Sequence, residues 1–245
     1  MENTPPAVPQ PGDFRTTRWS VVLAAQDAVP EALRRESLTT LIEAYWYPLY
    51  AYLRRKGYRA EDAQDLVQDF LASLIEKDFL RVVDPERGKF RWFLMDAIRK
   101  FSANRTATAT AKKRGGQQTT LSLDFEAGEQ RYQMEPVDGW TAERLYQRRW
   151  TLELLDQALR ELEAACQQAG RARFFRVLQV FLTADTSPPD YQSVAEELGL
   201  SATAVKVAIH RLRDRYREAV RVCVARTLDE GESIDDEIDR LMHSL

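Results

Sequence analysis

The sequence is short of cysteine, of histidine and of the residues that interrupt helices. Its two cysteines, Cys166 and Cys223, are far apart and neither belongs to a C-x-x-C pair. That spacing gives no zinc site and no disulfide framework, and both residues read as packing residues. The only histidines are His210 and His243. The chain also lacks a glycine-rich phosphate loop, a nucleophile elbow and a metal-ligand cluster, so no constellation for catalysis is in view. Acids such as Asp62 and Asp65 lie on a regular helical pattern, which is weak support for acid–base chemistry. The expectation is a non-enzyme that needs no cofactor and no metal. No apolar run is long enough to cross a bilayer, and the opening "MENTPPAVPQPGDF" lacks the basic start and apolar stretch of a signal peptide. The reading is a Pro-rich leader over 1–13 and a cytoplasmic chain without membrane insertion.

Glycine and proline number only ten each in 245 residues. No sustained stretch alternates apolar with polar, whereas apolar residues recur three and four apart in most long segments, so the fold is expected to be all-α. The periodicity predicts helices over Trp19–Ala28, Glu31–Arg55, Ala60–Glu76, Lys89–Asn104, Ala142–Gln168, Arg171–Thr183, Tyr191–Leu198 and Ala202–Thr227. Between the fourth and fifth lies "TATATAKKRGGQQTTLSLDFEAGEQRYQMEPVDG", rich in Thr, Gly and Gln. It reads as a flexible linker over 108–140 that joins a helical domain at 14–107 to a second at 141–228. Residues 229–245 form an acidic extension.

The formal charge of −3 conceals a segregation. Arg99 to Gln117 holds Arg99, Lys100, Arg105, Lys112, Lys113 and Arg114 without an acid, while Leu228 to Leu245 carries seven acids against Arg240. Without that tail the chain is net positive. Two basic segments and an acidic terminus suit a protein of which some surfaces meet phosphate and another does not.

The stretch "YQSVAEELGLSATAVKVAIHRLRDRYREAV" concentrates this charge. Val194, Ala195 and Leu198 give a first helix its apolar stripe, Gly199 can take the left-handed conformation that ends it, and Ser201 can cap a second helix. In that second helix Val205, Ala208, Ile209, Leu212 and Tyr216 share one face. Thr203, Lys206, Val207, His210 and Arg211 share the other. A helix-turn-helix places such early residues of its second helix in the major groove, where Lys or Arg donate to guanine or hold phosphates. The alternative is a solvated basic face within a bundle.

This stretch resembles the region that reads the −35 promoter element in sigma factors of bacterial RNA polymerase, of the extracytoplasmic-function type. "YPLYAYLRRKGYRAEDAQDLVQDFLASLIEK" resembles the family's first conserved segments, and "GKFRWFLMDAIRKFSANR" resembles the segment that opens and reads the −10 element. The resemblance runs over roughly residues 14 to 227. It implies a helical domain that binds core RNA polymerase and the −10 element, a linker, and a second domain that reads the −35 element. Promoter DNA and core RNA polymerase are the implied partners, and an anti-sigma protein is a further candidate partner.

In Ala60–Glu76 the apolar residues Ala63, Leu66, Val67, Phe70, Leu71 and Leu74 form one stripe, which turns Asp62, Asp65, Gln68 and Asp69 outward. Alone, such an acidic face is merely solubilising. In the family this helix docks on the polymerase clamp, so the resemblance implies that these four residues bind core polymerase. In the next segment aromatics and cations are interleaved, which suits a surface that stacks bases of a melted strand and follows its backbone. Arg91, Trp92, Arg99, Lys100, Asn104 and Arg105 are the candidates there, and about half of the rings, Phe93 among them, read as core. The family's usual Trp position holds Phe93, with Trp92 one earlier, and an Asn often found later is Lys100. The resulting expectation is a sigma factor. Its competitors are a stand-alone helix-turn-helix regulator and a helical adaptor that binds polymerase without reading DNA. In the acidic extension, Ser233 can cap a short helix with Ile234, Ile238, Leu241 and Leu245 on one face. That helix either packs on the protein or lays its acids over the basic face from Lys206 to Arg217.

Overall fold

The computed structural model describes residues 30–76, 89–108, 123–135, 139–182, 189–228 and 231–245. Among the described residues there is helix and no strand, as the periodicity implies. The helices are α1 (Glu31–Arg55), α2 (Ala60–Glu76), α3 (Phe90–Thr108), α4 (Phe125–Gln133), α5 (Ala142–Gln168), α6 (Ala172–Leu178), α7 (Tyr191–Leu198), α8 (Ala202–Ala225) and α9 (Ile234–Met242). A single 3₁₀ turn, Gln179–Phe181, continues α6. The helix expected over Trp19–Ala28 lies outside the described residues.

Helix α1 is the axis of the first core. Tyr45, Tyr47, Leu49, Tyr50, Ala51, Tyr52 and Leu53 are all buried. A helix segment apolar on every side must be surrounded, and α2, α4 and α5 pack around it. The stripe expected on α2 is buried as written, from Ala63 to Leu74. On α3, Phe90, Leu94 and Ile98 enter the same core, and Phe101 meets Phe70 of α2 edge to face at 5.6 Å. Phe93 is partly buried against this cluster, stacked 5.9 Å from Phe90.

Two long helices thread two cores. The first half of α5 gives Leu145, Tyr146, Trp150 and Leu154 to the first core, and its second half gives Leu162 and Cys166 to a second core with α6 and α7. Helix α8 does the reverse, with Val205, Ile209 and Leu212 in the second core and Val220, Cys223 and Val224 in the first. The two cysteines thus form no disulfide and are buried in different cores, consistent with packing roles.

The segment expected to be linker contains α4. Asp124 caps it by accepting from the Ala127 N–H at 3.0 Å, and Phe125 and Gly128 are buried against α1. A Cβ on Gly128 would stand 2.9 Å from the Trp46 ring, so glycine is what lets the two helices approach. Polar groups finish this docking. Glu129 takes Arg54 at 2.9 and 2.8 Å, and the buried Glu135 accepts from the Tyr47 hydroxyl at 3.1 Å and pairs with Arg149.

The acidic extension also belongs to the packed structure. Ser233 accepts from the Asp236 N–H at 3.3 Å to cap α9. Leu241 is fully buried, and Ile234 and Ile238 pack against the first core beside α5 and α8. Leu245, expected on the same stripe, remains 40% exposed. An isolated helix this short is marginal in water, so the docked apolar face is what keeps it folded.

Candidate nucleic-acid interface

The geometry anticipated around Gly199 is present. Asp190 caps α7 by accepting from the Gln192 N–H at 3.2 Å. Gly199 then turns the chain at φ 66°, and the Leu200 N–H returns to the Ala195 carbonyl at 2.9 Å. Ser201 caps α8 by accepting from the Ala204 N–H at 3.2 Å. Only glycine takes this left-handed conformation without a Cβ penalty.

Burial of Val205, Ile209 and Leu212 fixes the rotation of α8 and turns Thr203, Lys206, Val207, His210 and Arg211 outward, all exposed. Val207 shows 47% of its surface, an apolar spot amid the charge. The Lys206 ammonium stands 5.3 Å above the Tyr191 ring of α7, which aims it across the turn. His210 Nδ1 is 2.9 Å from Asp214 Oδ2. Arg211 makes no hydrogen bond or ion pair among the described residues.

The cations farther along α8 have structural partners. Arg213 donates from Nε and Nη2 to the Phe181 carbonyl at 3.2 and 3.1 Å, and Arg215 reaches the Cys166 sulfur at 3.5 Å. Arg217 pairs with Asp214 at 2.6 Å, and Arg221 pairs with Asp235 of α9. The concentration of arginine in this helix therefore has two causes. Lys206 and Arg211 present charge outward, whereas Arg213, Arg215 and Arg221 tie the helix to its neighbours.

On α3 the candidate residues divide between two faces. Trp92, 39% exposed, shares a face with Arg99 and Lys100 at steps of seven and eight. Asp96 lies between them, 2.6 Å from the Lys100 ammonium and paired with Arg99. The Lys100 hydrogen bond, aided by Arg99, holds the Asp96 carboxyl below its ordinary range. Asn104 is exposed nearby. Arg105 points the other way and pairs with Asp69 of α2.

Arg91 does not share the exposed face expected for it. It is 4% exposed, because it sits three and seven residues before Leu94 and Ile98 on the core side. Its Nη2 donates to Glu237 Oε1 of α9 at 2.6 Å, and its guanidinium lies 4.5 Å from the Trp150 ring centroid. Its backbone carbonyl accepts from the Tyr146 hydroxyl at 2.7 Å. Glu237 Oε2 receives Lys89 at 2.5 Å, and Arg240 stands 3.2 Å from the same oxygen. Burial pushes the Glu237 carboxyl up. The Lys89 hydrogen bond and the Arg91 charge outweigh it, and the group is held below the usual carboxylate range.

Glu237 is one of the acids of the extension, and sequence reasoning did not single it out, yet its side chain is fully buried. The available signal was its position three residues after Ile234 and one before Ile238, at the edge of the apolar stripe. The acids of α9 do not cover Lys206 to Arg217: Asp235 meets Arg221, and Glu237 faces α3. On α2, Asp62 and Asp65 are exposed and without partners among the described residues, Gln68 is half-buried, and Asp69 is engaged by Arg105.

No group of His, Cys, Asp and Glu among the described residues is arranged to hold a metal ion, and none of the helices there is long and apolar enough to cross a membrane. Comparison with family models, curated proteins and solved structures matches the chain to none of them.

Proposed function

We propose that this protein is a non-enzymatic, cytoplasmic sigma factor that binds core RNA polymerase and directs it to promoters. The observation that carries the reading is the outward face of α8. Thr203, Lys206, Val207 and Arg211 are exposed behind a glycine turn and a serine cap, while Arg213 and Arg215 of the same helix are engaged by Phe181 and Cys166. In this reading α7 and α8 are a helix-turn-helix that enters the major groove at the −35 element. Helices α1 to α3 form the second functional half. The free acids Asp62 and Asp65, with Gln68 beside them, meet basic groups of the polymerase, where complementary charge sets orientation. Trp92, Arg99, Lys100 and Asn104 supply the ring and cations for an unpaired −10 strand.

The test is gel filtration of the purified chain with core polymerase, followed by capture on duplex promoter DNA. A sigma factor co-elutes with core and captures DNA in its company. A stand-alone regulator captures duplex DNA without core, and a polymerase adaptor co-elutes without capturing DNA. Either of the last two results replaces the reading.

A further inference from the structure

We infer that Lys89 and Arg91 form an anion site for the phosphodiester backbone of single-stranded DNA, and that α9 occupies it in the free protein with Glu237 in place of the phosphate. The inference rests on the sigma-factor reading and assigns that reading a ligand site and its regulation.

Glu237 fills the site without satisfying it. Its Oε1 takes Arg91 Nη2 at 2.6 Å and its Oε2 takes Lys89 at 2.5 Å, so one carboxylate bridges the two cations. The Arg91 Nε–H, in the same guanidinium, is buried without a hydrogen-bond partner. An unmatched donor beside a charge pair is costly, and the guanidinium fork is shaped for two parallel acceptors. A phosphodiester offers two non-bridging oxygens in a tetrahedral arrangement, able to meet the Nε and Nη2 edge together with the Lys89 ammonium. In the packed chain the face of the guanidinium lies 4.5 Å from the Trp150 ring of α5, a contact given up when α3 parts from α5. Trp92 is the next residue, partly exposed and 5.4 Å from the same guanidinium, so a base attached to that phosphate meets an aromatic ring at once.

The same contact restrains the molecule. The −10 and −35 elements are separated by about 85 Å at ~3.4 Å per base pair. A packed chain of this length has a radius of gyration of roughly 18 Å. Reading both elements therefore requires α3 to part from α5 and α8, and α9 is a clasp across that division. It holds Arg91 and Lys89 of the α3 segment on one side and Arg221 of α8 on the other. A strand phosphate that takes the place of Glu237 releases the clasp as it binds.

Two measurements test this on the full chain. The first is fluorescence anisotropy of a dye-labelled oligothymidylate over a salt series, with the parent, Glu237→Gln and Glu237→Gln/Arg91→Gln. The account predicts roughly tenfold tighter binding by Glu237→Gln, because a charge-assisted contact to the competitor is gone. The gain should be lost when Arg91→Gln is added. Equal affinities of parent and folded Glu237→Gln, or a gain that persists in the double variant, overturn the inference. The second is amide hydrogen exchange of the parent with saturating oligothymidylate. Protection across Ile234–Met242 should fall, and unchanged protection overturns the inference whatever the variants do. Neither result depends on polymerase, so co-elution with core and capture of duplex DNA judge the sigma-factor reading separately.

Discussion

Asp69 of α2 and Arg105 of α3 are paired with each other, although sequence reasoning had set them to face two different partners. The pair joins the edge of the acidic face to the end of the basic helix. Phe70 and Phe101, next to each other in the same helices, close the apolar side of that junction at 5.6 Å. A test of polymerase docking must therefore leave Asp69 in place. Reversing Asp62 and Asp65 to Lys should abolish co-elution with core polymerase and leave helical content and thermal unfolding nearly unchanged, since exposed unpaired charges contribute little to folding. Retained co-elution removes this face from the account.

Lys206→Ala and Arg211→Ala should each weaken binding to a −35 duplex, by ~1–3 kcal/mol where the lost contact is bidentate to a base. A phosphate contact instead lowers the salt slope by about one and weakens all sequences alike. Anisotropy titrations at several salt concentrations distinguish the two. Arg213→Ala is the contrasting substitution. It removes both bonds to the Phe181 carbonyl, so it should lower thermal stability, which differential scanning calorimetry reads directly.

Much of this arrangement was legible because period and packing agree. Helix α2 has one apolar stripe, which emerged as read, and one acidic face, of which Asp62 and Asp65 are exposed while Asp69 turns to Arg105. The turn at Gly199 and the caps at Ser201 and Ser233 needed only local chemistry. Helix α4 was hidden because nine residues with Gly128 among them carry too little periodicity; its stability comes from Trp46, Tyr47 and Tyr50, which lie far off in sequence. Arg91 was misplaced because charge suggested solvent, whereas its register with Leu94 and Ile98 pointed to the core. What made burial tolerable was a carboxylate 146 residues away, and no local pattern announces that.

Gly128→Ala measures how firmly α4 belongs to the core. The added methyl meets the Trp46 ring at 2.9 Å, so overpacking should cost ~1–3 kcal/mol in urea unfolding. A neutral result would mean that α4 is not held against α1.

The buried Glu237 pair gives acid unfolding a defined sign. The folded-state carboxyl lies below its ordinary value of 4.5, since Lys89 and Arg91 outweigh burial. A depressed value means that the folded chain holds the proton less tightly than the unfolded one. The contribution is complete above the unfolded value and is lost as pH falls through the lower folded value. Urea unfolding from neutral pH down to about pH 3 should show a smaller loss of stability for Glu237→Gln than for the parent. Glu129, depressed by Arg54 and Tyr50 against the upward push of burial, contributes with the same sign to both proteins and cancels in the comparison. Parallel curves would contradict the assignment of the charge pair.

The central claim is tested most directly by run-off transcription with purified core RNA polymerase on a promoter library, comparing the parent with Lys206→Ala/Arg211→Ala. The account predicts discrete transcripts that require the protein, start at a common −35 and −10 pattern, and disappear or weaken sharply with the double variant. The absence of any protein-dependent transcript, or equal transcription by parent and variant from promoters that need a −35 element, would contradict it.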